Sequence, residues 1–171
     1  MFKKILFILT ASAMLLLAGA NLWTDPTFDA SGNCADAHSG EKSLQFTMAE
    51  PEYYQTCLST DIQVEPYAVY QATAYVKGRA ENGGGSVLVT YGWNSFGWYF
   101  GNSNSVSKYD TWTQVSNTFF VPDSVVNFTP IVLHNAKDAD IKIDDLEITM
   151  VKTGAEHIAE LKAKEIEVMA V

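Results

Sequence analysis

The chain has 171 residues, a length suited to one domain, and carries 20 acidic against 11 basic residues for a formal charge of −9. A surface that acidic repels phosphate backbones and anionic headgroups, which argues against nucleic acid and acidic membranes as partners. A neutral glycan or a protein remains compatible with it.

The first 20 residues stand apart. Lys3 and Lys4 precede an apolar run from Ile5 to Leu17, and Ala18-Gly19-Ala20 offers the small residues that signal peptidase accepts. The run is shorter than the about 20 apolar residues of a membrane helix. Polar Asn21 follows at once, and no cysteine stands at the cleavage point to carry lipid. Residues 1–20 therefore read as a signal peptide, and the remainder as secreted, extracellular or periplasmic, with no membrane association after cleavage. Losing Lys3 and Lys4 makes that remainder more acidic still. Cys34 and Cys57 form an even pair in an oxidising compartment, where a disulfide is expected. It would close a loop of roughly 24 residues, for about 3 kcal/mol in the chain-entropy model. His38, His134 and His157 show no ligand spacing with the cysteines, against a Cys/His metal site.

Period-2 patterning then runs along the chain. Leu44 to Met48 alternates, and Tyr53 to Val64 is β-rich with polar residues interleaved. Val69 to Lys77 puts Tyr70, Ala72, Ala74 and Val76 on one face and Gln71, Thr73, Tyr75 and Lys77 on the other. Asn82-Gly83-Gly84-Gly85 is a turn before Ser86 to Tyr91. Trp112 to Val121 is a strand ended by Pro122-Asp123; Phe128 to His134 is the next, and the last begins at Ile141 and ends near Val151. Short strands between turns predict an all-β fold, an antiparallel β-sandwich or jelly roll. From residue 153 the composition changes. Gly154 to Met169 is rich in Ala, Glu and Lys, with Glu160 and Lys164 as an i,i+4 pair. Residues 153–171 read as a short C-terminal helix, serving as a linker or the start of a truncated further domain; a helix packed on the sandwich is the alternative.

A series of landmarks now falls into order. Asn21-Leu22 and Asp25-Pro26-Thr27-Phe28-Asp29 open it, and Ser39-Gly40-Glu41-Lys42-Ser43-Leu44 leads into a strand. Val64-Glu65-Pro66-Tyr67 precedes Tyr70 to Gly78, Trp112-Thr113-Gln114-Val115-Ser116 follows, and Ile143-Asp144-Asp145-Leu146 closes it. Together they resemble the carbohydrate-binding modules of the family 4, 9 and 22 type, whose jelly roll is galactose-binding-domain-like. The likeness covers residues 21–152. It implies that the first and last strands lie side by side. It also implies a structural Ca²⁺ held by Asp29, main-chain oxygens near the Ser39–Leu44 turn, and Asp144 or Asp145. Strand alternation sends Asp144 and Asp145 to opposite faces unless the strand bulges, so which of the two binds is open.

The chemistry of the remaining residues favours binding over catalysis. Neither the acidic clusters at Glu50/Glu52, Asp138/Asp140 and Asp144/Asp145/Glu147 nor His134 has a partner that sequence can place, and no G-x-S-x-G elbow occurs. Sugars present apolar C–H faces as well as hydroxyls, so a glycan site combines flat aromatics with amides and carboxylates. Trp112 matches a framework tryptophan, and Phe46, Tyr70, Phe120 and Phe128 read as core. That leaves Tyr53, Tyr54, Tyr75, Trp93, Trp98 and Tyr99 as candidate sugar contacts, with Gln55, Gln71 and Asn94 as polar partners. Within Tyr91-Gly92-Trp93-Asn94-Ser95-Phe96-Gly97-Trp98-Tyr99-Phe100-Gly101, Trp93 and Trp98 are the best platforms, at or beyond a strand end, while Tyr91 and Phe100 read as packing. The expected function is a non-catalytic module that binds a β-linked polysaccharide, xylan or a β-glucan. It would target a glycoside hydrolase, in this or a larger chain, or the cell to that glycan. The alternative is an extracellular adhesion or structural module making protein contacts.

Overall fold

The alternating stretches become strands. A computed structural model describes residues 20–48, 62–81, 86–94, 97–100, 104–105, 108–123, 127–134 and 137–169. Tyr53, Tyr54, Gln55, Cys57 and residues 1–19 lie outside the described residues. In chain order the strands are β1 (Leu44–Met48), β2 (Ile62–Gln63), β3 (Val69–Glu81), β4 (Ser86–Asn94), β5 (Gly97–Phe100), β6 (Asn104–Ser105), β7 (Lys108–Phe120), β8 (Asn127–His134) and β9 (Lys137–Lys152), followed by α1 (Gly154–Met169). One sheet runs β1-β9-β3-β7; the other runs β2-β8-β4-β5, with β6 also on β4. All pairings are antiparallel, giving the two-sheet fold expected from the spacing of the turns.

The core follows from side-chain parity. Tyr70, Ala72, Ala74 and Val76 of β3 are fully buried, as are Ile141, Ile143, Leu146 and Ile148 of β9. Burying an isoleucine or leucine contributes about 1.5–3 kcal/mol, so the β9–β3 face anchors the domain. The buried Tyr70 hydroxyl accepts the Glu65 N–H at 2.9 Å, which satisfies it. On β7, Val115 and Phe119 point inward, and Val121 continues the series. Trp112 and Phe120 fall on the opposite parity with Gln114, Ser116 and Thr118. Neither is core as expected: Trp112 is half-buried on the outer side and Phe120 is 59% exposed.

The chain's beginning is laid along β9. The Leu22 N–H donates to the Ile148 carbonyl at 2.8 Å, and the Leu146 N–H to that of Pro26 at 2.9 Å. Asn21 imitates a strand backbone, its amide donating to the Leu146 carbonyl and accepting the Ile148 N–H. First and last segments therefore lie side by side. β9 also bulges. Its register with β3 shifts between Thr73 and Tyr75, and Asp145 adopts φ 48°. Cys34 is half-buried with a free thiol, and no disulfide occurs among the described residues. Its expected partner, Cys57, lies outside the described residues.

α1 starts one residue after β9. Thr153 and Glu156 form a capping box: the Thr153 Oγ1 accepts the Glu156 N–H at 3.2 Å, and Glu156 accepts the Thr153 N–H at 2.8 Å. Its first turn is docked on the sandwich by the Gly154 N–H, which donates to Glu65 at 2.9 Å, and by His157 against the Tyr67 carbonyl. Residues 159–165 are exposed throughout.

Candidate functional site

Two surfaces and one braced turn hold the residues singled out above. The first surface is the β4–β5 hairpin. Here Tyr91 pairs with Phe100, Gly92 with Tyr99, Trp93 with Trp98 and Asn94 with Gly97. Directly opposed residues share a face. Tyr91, Trp93, Trp98 and Phe100 therefore sit on one face, and Gly92, Asn94, Gly97 and Tyr99 on the other. The neighbouring strands continue the register. Gly92 pairs with Phe128, and Phe128 with Ile62, a core residue only 6% exposed. Gln63, the next residue, is exposed. Further along, Val87 pairs with Leu133 and Val89 with Ile131 between β4 and β8. Trp93 and Trp98 thus lie within a paired hairpin rather than beyond a strand end. The register pairs Tyr91 with Phe100 as it pairs Trp93 with Trp98, and it sets Asn94 and Tyr99 on the opposite face from the two tryptophans.

The second surface is the outer side of β3, β7 and β9, where Gln71 and Tyr75 stand. Gln71 donates to the Ser116 hydroxyl at 3.1 Å. His38 stacks on Tyr75, with ring centroids 3.6 Å apart and planes at 12°, so one face of the tyrosine is already covered. The Trp112 ring meets His38 edge-on at 5.9 Å, and the Lys77 ammonium lies 5.8 Å from its centroid. Asp36 reaches over from the N-terminal segment to bond Lys77 and Lys142. Lys142 foremost, then Lys77, hold the Asp36 carboxyl below the usual carboxylate range, and Asp36 in turn raises Lys142.

The turn at residues 38–42 lies between the carboxylates expected to hold calcium. Asp29 Oδ1 accepts the N–H groups of Glu41 at 2.6 Å and Lys42 at 3.2 Å, and its Oδ2 accepts the Thr27 hydroxyl. The Glu41 N–H above all, with the Thr27 hydroxyl, lowers the Asp29 pKa. Gly40 passes so close, at φ 62°, that a Cβ would stand 2.5 Å from the Asp29 carboxylate. From the other side, Asp144 Oδ2 accepts the N–H groups of His38 at 2.7 Å and Ser39 at 3.0 Å. Burial pushes Asp144 up in spite of these bonds. The β9 bulge lets Asp145 reach the same turn, where it takes the Ser39 hydroxyl and, at 2.5 Å, His38 Nδ1. Calcium wants about six to eight oxygen ligands. Here N–H and hydroxyl donors occupy the carboxylate oxygens, and among the described residues no three His, Cys, Asp or Glu side chains converge on one point. The donor set fits a braced turn and not the ion. His38, Ser39 and Asp145 are no catalytic triad either. The serine hydroxyl is bound to the aspartate, so the imidazole is not placed to take its proton.

Sequence reasoning missed Asp36, His38, Arg79 and Lys142 as neighbours of this surface. No local pattern points to them, because each meets its partner across tens of residues. Trp112 was different: the parity of Val115, Phe119 and Val121 already set it on the outward side.

No family model matches the chain, and no curated protein matches it significantly in sequence. Solved structures do match, and most of them are carbohydrate-binding modules. One is a family 16 carbohydrate-binding module, with a TM-score of 0.57 at 14% identity, covering 75% of this chain and 99% of that one. Another is the CBM22-1 xylan-binding domain from Paenibacillus barcinonensis Xyn10C, with a TM-score of 0.51 at 16% identity, covering 71% and 80%. A third contains the CBM22-1 and GH10 modules of a Clostridium thermocellum endo-1,4-beta-D-xylanase, complexed with xylohexaose; the TM-score is 0.52 at 15% identity, covering 70% of this chain and 23% of that one. At these identities the likeness is one of fold.

Proposed function

We propose that this chain, which has the jelly-roll fold of carbohydrate-binding modules, is itself a non-catalytic module for a β-linked polysaccharide, xylan or a β-glucan. The observation that carries the reading is the cross-strand pair Trp93–Trp98, which the register sets on one face of the hairpin with Tyr91 and Phe100. Aromatics set side by side in this way suit the flat C–H faces of pyranose rings. Covering one ring face removes about 80–100 Å² from water, worth about 2 kcal/mol per platform. Two platforms give a weak module, as multivalent targeting requires. The reading includes export after signal cleavage and, as a partner, a glycoside hydrolase in the same or a larger chain. Calcium stays outside it, because the braced turn offers no free oxygen cage.

Affinity electrophoresis on gels containing soluble xylans and β-glucans tests the proposal. The protein is expected to be retarded, and Trp93→Ala or Trp98→Ala to weaken binding by about 2 kcal/mol, roughly 30-fold. No retardation on any gel would overturn it. A second reading, a module for protein contacts, is favoured by exposed Phe120, Tyr67, Val151 and Leu161 near the root of α1. Retardation lost in the tryptophan variants excludes it as the main role of the hairpin.

A further inference from the structure

The β1-β9-β3-β7 sheet ends in two unlike edges. On the β1 side the N-terminal segment covers the edge. Asn33 donates to the Gln45 carbonyl at 3.1 Å and accepts the Gln45 N–H at 2.7 Å, and Cys34 bridges Ser43. β7 is the other edge, and among the described residues no strand pairs with its outer side. It is 13 residues long, and its register with β3 is unbroken from Thr113 to Phe120. The backbone groups along such an edge invite another strand, and charges, prolines or bulges ordinarily blunt it. β7 keeps those devices at its ends alone. Asp110 and the bulge at residues 110–112 stand before the regular stretch and Pro122 after it, and no charge or proline falls from Thr111 to Val121.

The pattern of the strand says what fits there. Its outward parity runs Trp112, Gln114, Ser116, Thr118, Phe120, an aromatic at each end and uncharged polar residues between. Ser116 is the midpoint of the two aromatics, and also of the interval from Asp110 to Pro122. An antiparallel strand of the same sequence, centred on Ser116, therefore sets Trp112 opposite Phe120, Gln114 opposite Thr118, and Ser116 opposite its own copy. Aromatic pairs directly opposed across strands are stabilising. Phe120 is 59% exposed and Trp112 half-buried, so both have surface to bury. A protein of charge −9 repels its own copy in general, but this seam carries no charge.

We propose that β7 pairs with β7 of a second copy of this chain, antiparallel about Ser116, joining two four-stranded sheets into one of eight strands across a twofold axis. A twofold seam of this kind is self-complementary and closes at the dimer. A strand from another protein could use the same backbone groups, but it need not match the spacing of Trp112 and Phe120. One strand pair is small beside a standard interface of about 1,600 Å², so association depends on concentration. The inference is independent of what the hairpin binds.

Sedimentation equilibrium of the purified protein, over a concentration series reaching the millimolar range, tests it. The wild type is expected to pass from monomer to dimer. The outward-pointing amides of residues 113–119 should gain hydrogen-exchange protection with concentration while those of β1 do not. Ser116 is exposed, so a longer side chain has room in the monomer. Ser116→Lys sets two like charges face to face at the axis and should weaken the dimer roughly tenfold or more, as should Ser116→Asp. Mixed in equal amounts, the two Ser116 variants should associate again, because opposite charges then meet. Both lose the hydrogen bond from Gln71, so recovery in the mixture reports the seam and not that bond. A wild type that stays monomeric throughout would overturn the proposal and leave the edge to a strand of another protein. A dimer that gains protection away from β7, or that Ser116→Lys leaves intact, would overturn it equally.

Discussion

Asp36 ties together two lysines that sheet register forces into opposition. Its pKa is lowered in the folded protein, first by Lys142 and then by Lys77. For a carboxyl depressed in this way, the stabilisation is present above the ordinary carboxylate pKa of about 3.9 and is lost as pH falls through the lower folded value. The Asp36 side chain is 37% exposed, so solvent screening limits the pair to about 1 kcal/mol. Asp36→Asn should therefore melt about 2–4 °C lower at neutral pH. Melting curves taken down to about pH 3 should show that gap closing; a gap independent of pH would mean that the carboxylate's charge is not what holds the loop. None of this was legible locally, because residues 36, 77 and 142 converge only once β9 and β3 have paired. Tyr70 was legible, since its neighbours Ala72, Ala74 and Val76 repeat its parity.

At the scale of elements, period and register contribute different things. Alternation predicts β3 and its two faces, and the structure has them. The hairpin was read as a strand running into a connection, because two-residue periodicity does not reveal which strands pair. Once β4 meets β5 at Trp93–Trp98, four aromatics fall on one face and Asn94 and Tyr99 on the other. α1 depends on its start. Its first turn is docked and Glu160 of the next turn bonds Lys152 of β9, and the capping box at Thr153 and Glu156 sets the start of the helix. Thr153→Ala should cost the helix about 1 kcal/mol. Amide hydrogen exchange checks this: α1 amides should exchange roughly fivefold faster while those of β3 and β9 hold their protection. Equal acceleration in the strands would mean that α1 and the sandwich unfold as one unit.

For the molecule as a whole, the turn at residues 38–42 joins the chain's beginning to its end. Asp29 grips it from the first segment, and Asp144 and Asp145 from the last strand. These bonds run through protein donors, so a melting curve with chelator should match one without it; a midpoint lowered by several degrees on chelation would restore the calcium ion. The residues by themselves determined the acidic surface, the β-strand periodicity, the two-sheet class and the likeness to carbohydrate-binding modules. All of these follow from composition and local pattern. Tertiary structure alone decided which face the tryptophans share, why Asp144 and Asp145 reach one turn, and where Lys77, Arg79 and Lys142 meet. Register and bulges depend on partners distant in sequence, and a one-residue shift in either moves every side chain to the other face.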